Sequence, residues 1–520
     1  MMRFLARPFL MLALAVACLV GPITAQVSDL GTTSFENSGS EEAQDAFLRG
    51  ILLLHSFEYP DAREAFVEAQ DIDPQFAMAY WGEAMTHNQP LWYNQDLQGA
   101  HEALNRLAPD LRGRLEKAPT ERERAYLKAV EVLFNDEHDK LMRDTAYMEA
   151  MERIAAQYPD DLDARAWYAL SILGTAHDGR DFAIYMRAAA IAEEVFAENP
   201  DHPGAAHYLI HSYDDAVHAP LGLRAAFAYS KIAPAAAHAL HMPSHIFVSM
   251  GMWDHVTSSN AASYEASDER VRRKGLGVNA RSFHARHWLM YGLLQQGRFK
   301  EARALLEDMI RDVEDGGSAR MARAHLAEMR AMYMVESQGG DPEAAAIEVD
   351  LTGLGNEAKG MDLYITGLTA LKKGDSEVAS RNIKAMMDIT GRYEAEVRVM
   401  QHQLKSAVLK SEGNPEEALK LLEKAAEMEN ALHLAYGPPV PVKPANELLG
   451  ENYLEAGEYG KAQAAFEAAL ARTPKRVLSL AGLAKAAGNA GDQETADSAL
   501  ATLREIRRNA DADVMDWASR

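Results

Sequence analysis

Cysteine is nearly absent from this chain: among 520 residues there is one, Cys18. It lies in an N-terminal apolar run that we expect to be removed. The mature chain then has no disulfide, no thiolate ligand and no cysteine nucleophile. Any metal it binds must be held by His, Asp, Glu or Met side chains.

Long apolar runs are equally scarce, and the one candidate stands at the start of the sequence. Phe9–Val20 is apolar, Arg3 and Arg7 precede it, and small residues lead to Gln26. This arrangement is typical of a secretory signal peptide over residues 1–25 and predicts a periplasmic or secreted protein.

A lipoprotein, anchored through Cys18, is the disfavoured alternative because this cysteine lies inside the apolar run rather than after it. No later run approaches the roughly 20 apolar residues that a membrane helix needs. We therefore expect no transmembrane segment in the mature chain.

Positive charge is in deficit. The sequence has 53 Lys and Arg against 77 Asp and Glu, for a formal net charge of −24. Such an excess of acid argues against nucleic acid and anionic membranes as partners. It favours solubility and attraction to cations.

Strand-like alternation is also missing. After the first 42 residues the chain is rich in Ala, with apolar residues recurring at the helical period, which predicts an all-α protein. At this length a single compact core is not expected, so the chain must form several domains or an elongated solenoid.

Two distant stretches share one spacing of small, aromatic and proline residues. They are Gly50, Ala62, Phe66, Ala69 and Pro74, and Gly450, Ala462, Phe466, Ala469 and Pro474. The spacing is that of tetratricopeptide repeats, helical hairpins of about 34 residues. Small residues let the two helices approach, Phe fills the space between them, and Pro ends the second helix. We predict a tetratricopeptide-like helical-repeat solenoid.

The predicted organisation follows from these features. It comprises a signal peptide (1–25), a disordered leader (26–42), N-terminal repeat-like helices (43–160), histidine-bearing repeats (161–310), further helical repeats (311–435), a Pro-rich connector (436–444) and a C-terminal repeat pair (445–520). The leader is rich in Ser, Thr, Gly and acid. We interpret the connector as a spacer in preference to a binding segment.

Histidines are grouped in the middle of the chain. They are His207 and His211, then His238, His241 and His245, then His284 and His287. Within each group the spacing is three or four residues, which places the members on one face of a helix.

The repeat register relates the three groups to each other. Pro200 and Pro234 each close a unit, so the following units begin at Pro203 and Ala237, and Ala302 sets a third start at Phe283. In this register all the grouped histidines occupy first-helix positions that line the concave groove of such repeats.

Two acids, Asp214 and Asp215, follow on the same face. We predict that they complete a coordination sphere or orient a histidine through its second nitrogen. If the protein is an enzyme, they are the candidate bases for a metal that activates water or dioxygen.

The leading interpretation is a transition-metal site in the groove. Imidazole ligands suit Cu, Zn or Fe, and seven of them exceed one tetrahedral site. Two alternatives remain open: the histidines bind an acidic peptide or small ligand, or they are structural residues bonded to Asp214 or to carbonyl groups. A scaffold function is the second hypothesis, since repeat grooves bind partner peptides and the C-terminal pair lacks His.

Four sequence runs carry a resemblance to a known family. They are His238-Ala-Leu-His-Met-Pro-Ser-His-Ile-Phe247, Asp201-His-Pro-Gly-Ala-Ala-His-Tyr-Leu-Ile-His211, Ala77-Met-Ala-Tyr-Trp-Gly82 and Tyr436-Gly-Pro-Pro439. The chain resembles, over nearly all its mature length, exported bacterial tetratricopeptide repeat proteins without an established activity. It departs from that family's form at Gln89, where a His commonly precedes Pro-Leu-Trp. The resemblance implies the fold.

Overall fold

The computed structural model describes residues 29–434 and 436–512, and these residues are mostly helical. The α-helices are α1 Gln44–His55, α2 Tyr59–Ile72, α3 Ala77–Met85, α4 Leu97–Leu107, α5 Leu111–Glu116, α6 Glu121–Leu133, α7 Lys140–Gln157, α8 Leu162–Leu173, α9 Phe182–Glu198, α10 Pro203–Tyr213, α11 Ala219–Ile232, α12 Ala237–His241, α13 Pro243–Ser249, α14 Trp253–Lys274, α15 Phe283–Gln295, α16 Phe299–Asp315, α17 Arg320–Glu336, α18 Pro342–Ala345, α19 Asn356–Lys372, α20 Ser376–Met387, α21 Glu394–Ser411, α22 Pro415–Asn430, α23 Ala445–Glu455, α24 Tyr459–Arg472, α25 Val477–Ala490 and α26 Gln493–Ile506.

Other regular structure in the described residues is minor. It consists of the 3-10 helices Glu41–Ala43, Pro90–Trp92 and Val278–Ala280 and the antiparallel two-residue strands β1 Asn88–Gln89 and β2 Asn94–Gln95. The predicted all-α helical-repeat solenoid is confirmed. The predicted signal peptide lies outside the described residues.

The glycines of the repeat signature make close helix contacts possible. A Cβ atom at Gly82 would lie 2.4 Å from the ring of Phe66, and one at Gly50 would lie 2.7 Å from the same ring. Gly482 stands against Phe466 in the same way, at 2.2 Å. Each buried Phe therefore fills a gap that is wide enough only because the facing residues have no side chain.

Prolines end the second helices as predicted. Helices α2, α9, α11 and α24 each end two residues before a proline, namely Pro74, Pro200, Pro234 and Pro474. The first helices of the next units begin where the register placed them: α10 at Pro203, α12 at Ala237 and α15 at Phe283.

The described part of the predicted disordered leader (26–42) is packed against the helices, which differs from our expectation. Phe35 is buried and stacks on Trp81 with ring centroids 5.6 Å apart. The Thr33 hydroxyl donates a hydrogen bond to Asp163 at 2.6 Å. Polar composition suggested disorder, but one aromatic residue buried in an inter-helix gap and a few hydrogen bonds fix this segment.

The C-terminal repeats fold back onto the middle of the chain. The Trp253 indole donates to the carbonyl oxygen of Lys475 at 3.1 Å, and the Val477 amide donates to Gln295 at 3.0 Å. Arg476, which is fully buried, pairs with Glu336 of α17. The helices from α15 to α26 thus close into a ring around a cavity of about 1240 Å³.

In the part of the chain that the structure describes, no helix has the length and apolar character needed to cross a membrane.

Candidate metal centre

Three histidines meet at their ring nitrogens, and we call them the first triad. They come from the first helices of two successive repeat units. α10 carries His207 and His211, and α12 carries His238. The Nε2 atom of His207 lies 3.1 Å from Nε2 of His211 and 3.2 Å from Nε2 of His238. The first triad therefore directs three ring nitrogens at one point.

The protonation state of His207 follows from its other nitrogen. Nδ1 lies 2.7 Å from the carbonyl oxygen of His55. A carbonyl only accepts, so Nδ1 carries the hydrogen. Burial lowers the pKa of His207 well below its usual value, which keeps the ring neutral. Its Nε2 atom therefore presents a lone pair to the other two histidines.

The second triad lies beside the first and consists of His241, His245 and His284. Nε2 of His241 is 3.0 Å from Nε2 of His245, and the His241 and His284 rings are 4.6 Å apart at their centroids. One ligand nitrogen from each of the three residues lies within 4.8 Å of the others. The rings of His211 and His245, 5.7 Å apart, connect the two triads.

The two closest nitrogens of the second triad belong to rings that are held from behind. The Asn260 amide nitrogen donates to the Val256 carbonyl at 2.9 Å, so its oxygen accepts from Nδ1 of His241 at 2.6 Å. Asp214 accepts from Nδ1 of His245 at 2.5 Å. With both Nδ1 atoms engaged in this way, the two rings direct their Nε2 atoms at each other.

Burial disfavours the charged form of four histidines of this wall. Burial first, and then repulsion between neighbouring rings, lowers the pKa of His211, His238, His241 and His284 well below the usual value. His284 is nevertheless exposed to solvent. Solvent therefore reaches the wall at His284.

Aromatic rings cover the rest of the wall. Phe57 packs edge-on against His207 with centroids 4.3 Å apart, and the Trp288 ring is 4.4 Å from that of His245. The predicted connector (436–444) contributes here: the ring of Tyr436 lies 5.7 Å from that of His245. The connector therefore borders the histidine wall.

The two predicted acids have different positions. Asp214 is buried, and its two oxygens accept from His245 and from the Ser249 hydroxyl. Asp215 instead pairs with Arg180 at 2.9 Å and with His218. Asp214 is thus placed to orient a ring, whereas Asp215 stabilises a turn next to the wall.

Six of the seven predicted histidines meet in the two triads, and His287 does not. It lies with His325 and Glu328 in a separate group further along the concave face. His325 and Glu328 were not predicted as site residues from the sequence. Their spacing of three residues on one helix is a recognisable signal. It was not used because the residues that set the repeat register do not include this helix.

A third buried group, His55, Asp163 and His202, has most of its polar atoms engaged within the protein, although Nε2 of His202 has no hydrogen-bond partner. His55 bonds Asp163 at 2.9 Å and the Tyr208 hydroxyl at 2.8 Å. Nδ1 of His202 accepts the Ala205 amide as a helix N-cap. This group is a hydrogen-bonded support that holds the His55 carbonyl against the first triad.

No protein-family profile matches this chain. No curated protein sequence matches it either. Among solved structures, a human IFIT1 dimer with m7Gppp-AAAA is similar at 12% identity, covering 94% of this chain and 92% of its own, with a TM-score of 0.37.

A monomeric IFIT1 mutant with Gppp-AAAA has 11% identity, coverages of 93% and 99%, and a TM-score of 0.41. The APC/C hetero-tetramer Cut9-Hcn1 has 12% identity, coverages of 94% and 79%, and a TM-score of 0.34. These neighbours are helical-repeat proteins, and we draw nothing about function from them.

Proposed function

We propose that the two triads bind transition-metal ions at adjacent tri-imidazole sites. The observation that carries this proposal is the pair of Nε2 atoms of His241 and His245, which face each other at 3.0 Å while an acceptor holds each Nδ1 atom. The lone pairs of two neutral rings at that separation would repel, and a cation bound by both would convert the repulsion into two bonds.

The distances within the triads suit such an ion. Zinc lies about 2.0–2.1 Å from a ligand nitrogen, so two nitrogens of a tetrahedral site are about 3.3 Å apart. The closest nitrogen pairs of the two triads are 3.0 to 3.2 Å apart. A proton shared by the two nitrogens is the competing occupant, and chelator competition distinguishes a bound metal ion from it.

The ligand set indicates the class of metal and its reactivity. An all-imidazole set suits Cu, Zn or Fe. Three protein ligands leave a coordination position open, as in catalytic zinc sites, where water or another small molecule binds. The two oxygens of Asp214 accept hydrogen bonds from His245 and Ser249. We therefore propose that Asp214 orients the His245 ring and does not transfer a proton.

Chelator competition with Zn²⁺ or Cu²⁺ tests this proposal. We expect tight, saturable binding that His241→Ala and His245→Ala each weaken by more than about tenfold. His255→Ala is the matched control, since His255 is exposed on α14 against Phe227 and Phe247. Equal binding by the control and the triad variants would contradict the proposal.

Scaffolding is the second candidate function, and the closed C-terminal ring favours it. Its cavity of about 1240 Å³ is lined mainly by apolar side chains. Five lysines and two glutamates also line it, although the whole chain is acidic. We propose an acidic, partly apolar peptide as the occupant.

A fluorescent acidic peptide library tests the scaffold candidate. Binding should fall on charge reversal at Lys485, and Lys461→Glu, on the exposed part of α24, is the control.

We also propose, from the N-terminal residues, that the protein is exported. Cell fractionation tests this location.

A further inference from the structure

Helix α15, which also carries His284 of the second triad, and helix α17 bring together two further imidazoles and one carboxylate. His287 is on α15, and His325 and Glu328 are on α17. Glu328 Oε2 lies 3.3 Å from Nδ1 of His325 and 3.5 Å from Nδ1 of His287. The three groups therefore surround one small volume.

The polar atoms of this group are poorly satisfied within the protein. Nε2 of His287 and Nδ1 of His325 are buried without a hydrogen-bond partner. His287 is only 7% exposed. The separations of 3.3 and 3.5 Å are longer than a good hydrogen bond, and buried polar atoms without partners are costly. A cation held by Glu328 and Nδ1 of His325 would remove this cost at the His325 nitrogen.

We propose that His287, His325 and Glu328 form a third metal site, which takes a divalent cation of the Mn²⁺ or Fe²⁺ type. Two histidines and one carboxylate with further positions open are the ligand set of non-haem iron sites. The carboxylate also accepts harder cations than all-imidazole triads do. This site shares no ligand with either triad, so it does not depend on the proposed function.

The group also lies next to the second triad. The His325 ring is 6.2 Å from that of His284 in the second triad, so the third site continues the same wall.

Mn²⁺ alone is the probe, because it prefers sites that include carboxylate over sites of imidazole only. The experiment uses the full chain carrying His207→Ala and His241→Ala, which disable both triads. Electron paramagnetic resonance of free aqueous Mn²⁺ then counts bound ions. We expect one saturable Mn²⁺ site per chain, weakened at least about tenfold by Glu328→Gln.

Two further variants make the outcome decisive. His325→Ala should also weaken the site, whereas Glu314→Gln, an exposed acid on α16, should not. Circular dichroism confirms that each variant is folded, and Glu328→Asp, which keeps the carboxylate, should retain part of the affinity.

Absence of saturable Mn²⁺ binding in the triad-disabled chain, or equal binding by Glu328→Gln and Glu314→Gln, would overturn the third site. If the triads failed to bind Zn²⁺ or Cu²⁺, the conclusion about Mn²⁺ binding at the third site would not change.

Discussion

Three acceptors behind the histidine wall each hold the hydrogen of one Nδ1 atom. They are the His55 carbonyl, the Asn260 amide oxygen and the Asp214 carboxylate. Each acceptor is itself fixed by the fold, as Asn260 is by its bond to the Val256 carbonyl. The rings are therefore aligned before any ion binds, which reduces the entropy lost on binding.

Asp214→Asn tests this alignment. The substitution keeps the size of the side chain and removes the charge that holds the Nδ1 hydrogen of His245. We expect metal affinity at the second triad to fall by about 10–100-fold, measured by chelator competition. Asp215→Asn is the matched control, because Asp215 bonds Arg180 and His218. A similar loss in both variants would show that the effect is general destabilisation.

At the residue scale, the sequence predicted which histidines share a face but not what lies behind them. The repeat register brought six histidines to one wall from spacing alone. Asn260 and Trp288 could not be found in this way, because their contacts depend on how neighbouring repeats pack. For the same reason, Asp215 could not be distinguished from Asp214.

The helix hairpins depend on glycines that face a buried Phe. Gly482→Ala would place a Cβ atom 2.2 Å from the ring of Phe466. We expect this overpacking to lower the free energy of unfolding by about 1–3 kcal/mol in urea titrations. Gly460→Ala, in α24 with no neighbour within 4 Å, is the control and should be neutral or stabilising by up to about 1 kcal/mol. Equal losses would contradict the packing argument.

Another local feature is Pro243, which lies between two of the histidines. The structure has α12 ending at His241 and α13 beginning at Pro243, with Met242 between them in helical geometry. Because proline has no N–H group, one backbone hydrogen bond is missing at this point. His241 and His245 nevertheless remain on the same side and still meet.

At the scale of the whole molecule, one buried arginine joins distant repeats. Arg476 pairs with Glu447 at 2.8 Å and also with Glu336. Lys443 adds a second positive charge 2.8 Å from Glu447. Closure of the ring therefore depends on an ionic network that is removed from solvent, and removal of one partner from such a network is strongly destabilising.

Acid should weaken this network within a defined range of pH. Burial would raise the pKa of Glu447, but Arg476 and Lys443 lower it from 4.5 to about 2. Between these values the unfolded chain binds more protons, so the stabilisation present above pH 4.5 is lost as the pH falls towards 2. Urea titrations should show a shallower pH dependence for Glu447→Gln. Parallel curves for the two proteins would contradict this assignment.

The sequence predicted a solenoid but not its closure into a ring. Repeat signatures specify contacts between neighbours, whereas Arg476 and Glu336 are far apart in the chain and carry no shared pattern. The packing of the leader could not be predicted for the same reason. Phe35 fills a gap between helices and stacks on Trp81, and this gap exists only after the helices have assembled.

Elemental analysis combined with X-ray absorption tests most directly whether the two triads hold transition metal. The full chain is purified without an affinity tag or chelator and equilibrated with Cu, Zn or Fe. We predict at least one equivalent of bound metal with an imidazole ligand shell, lost when His238, His241 and His245 are all replaced by Ala. No bound metal after equilibration with all three, or the same metal content in the triple variant, would contradict the account.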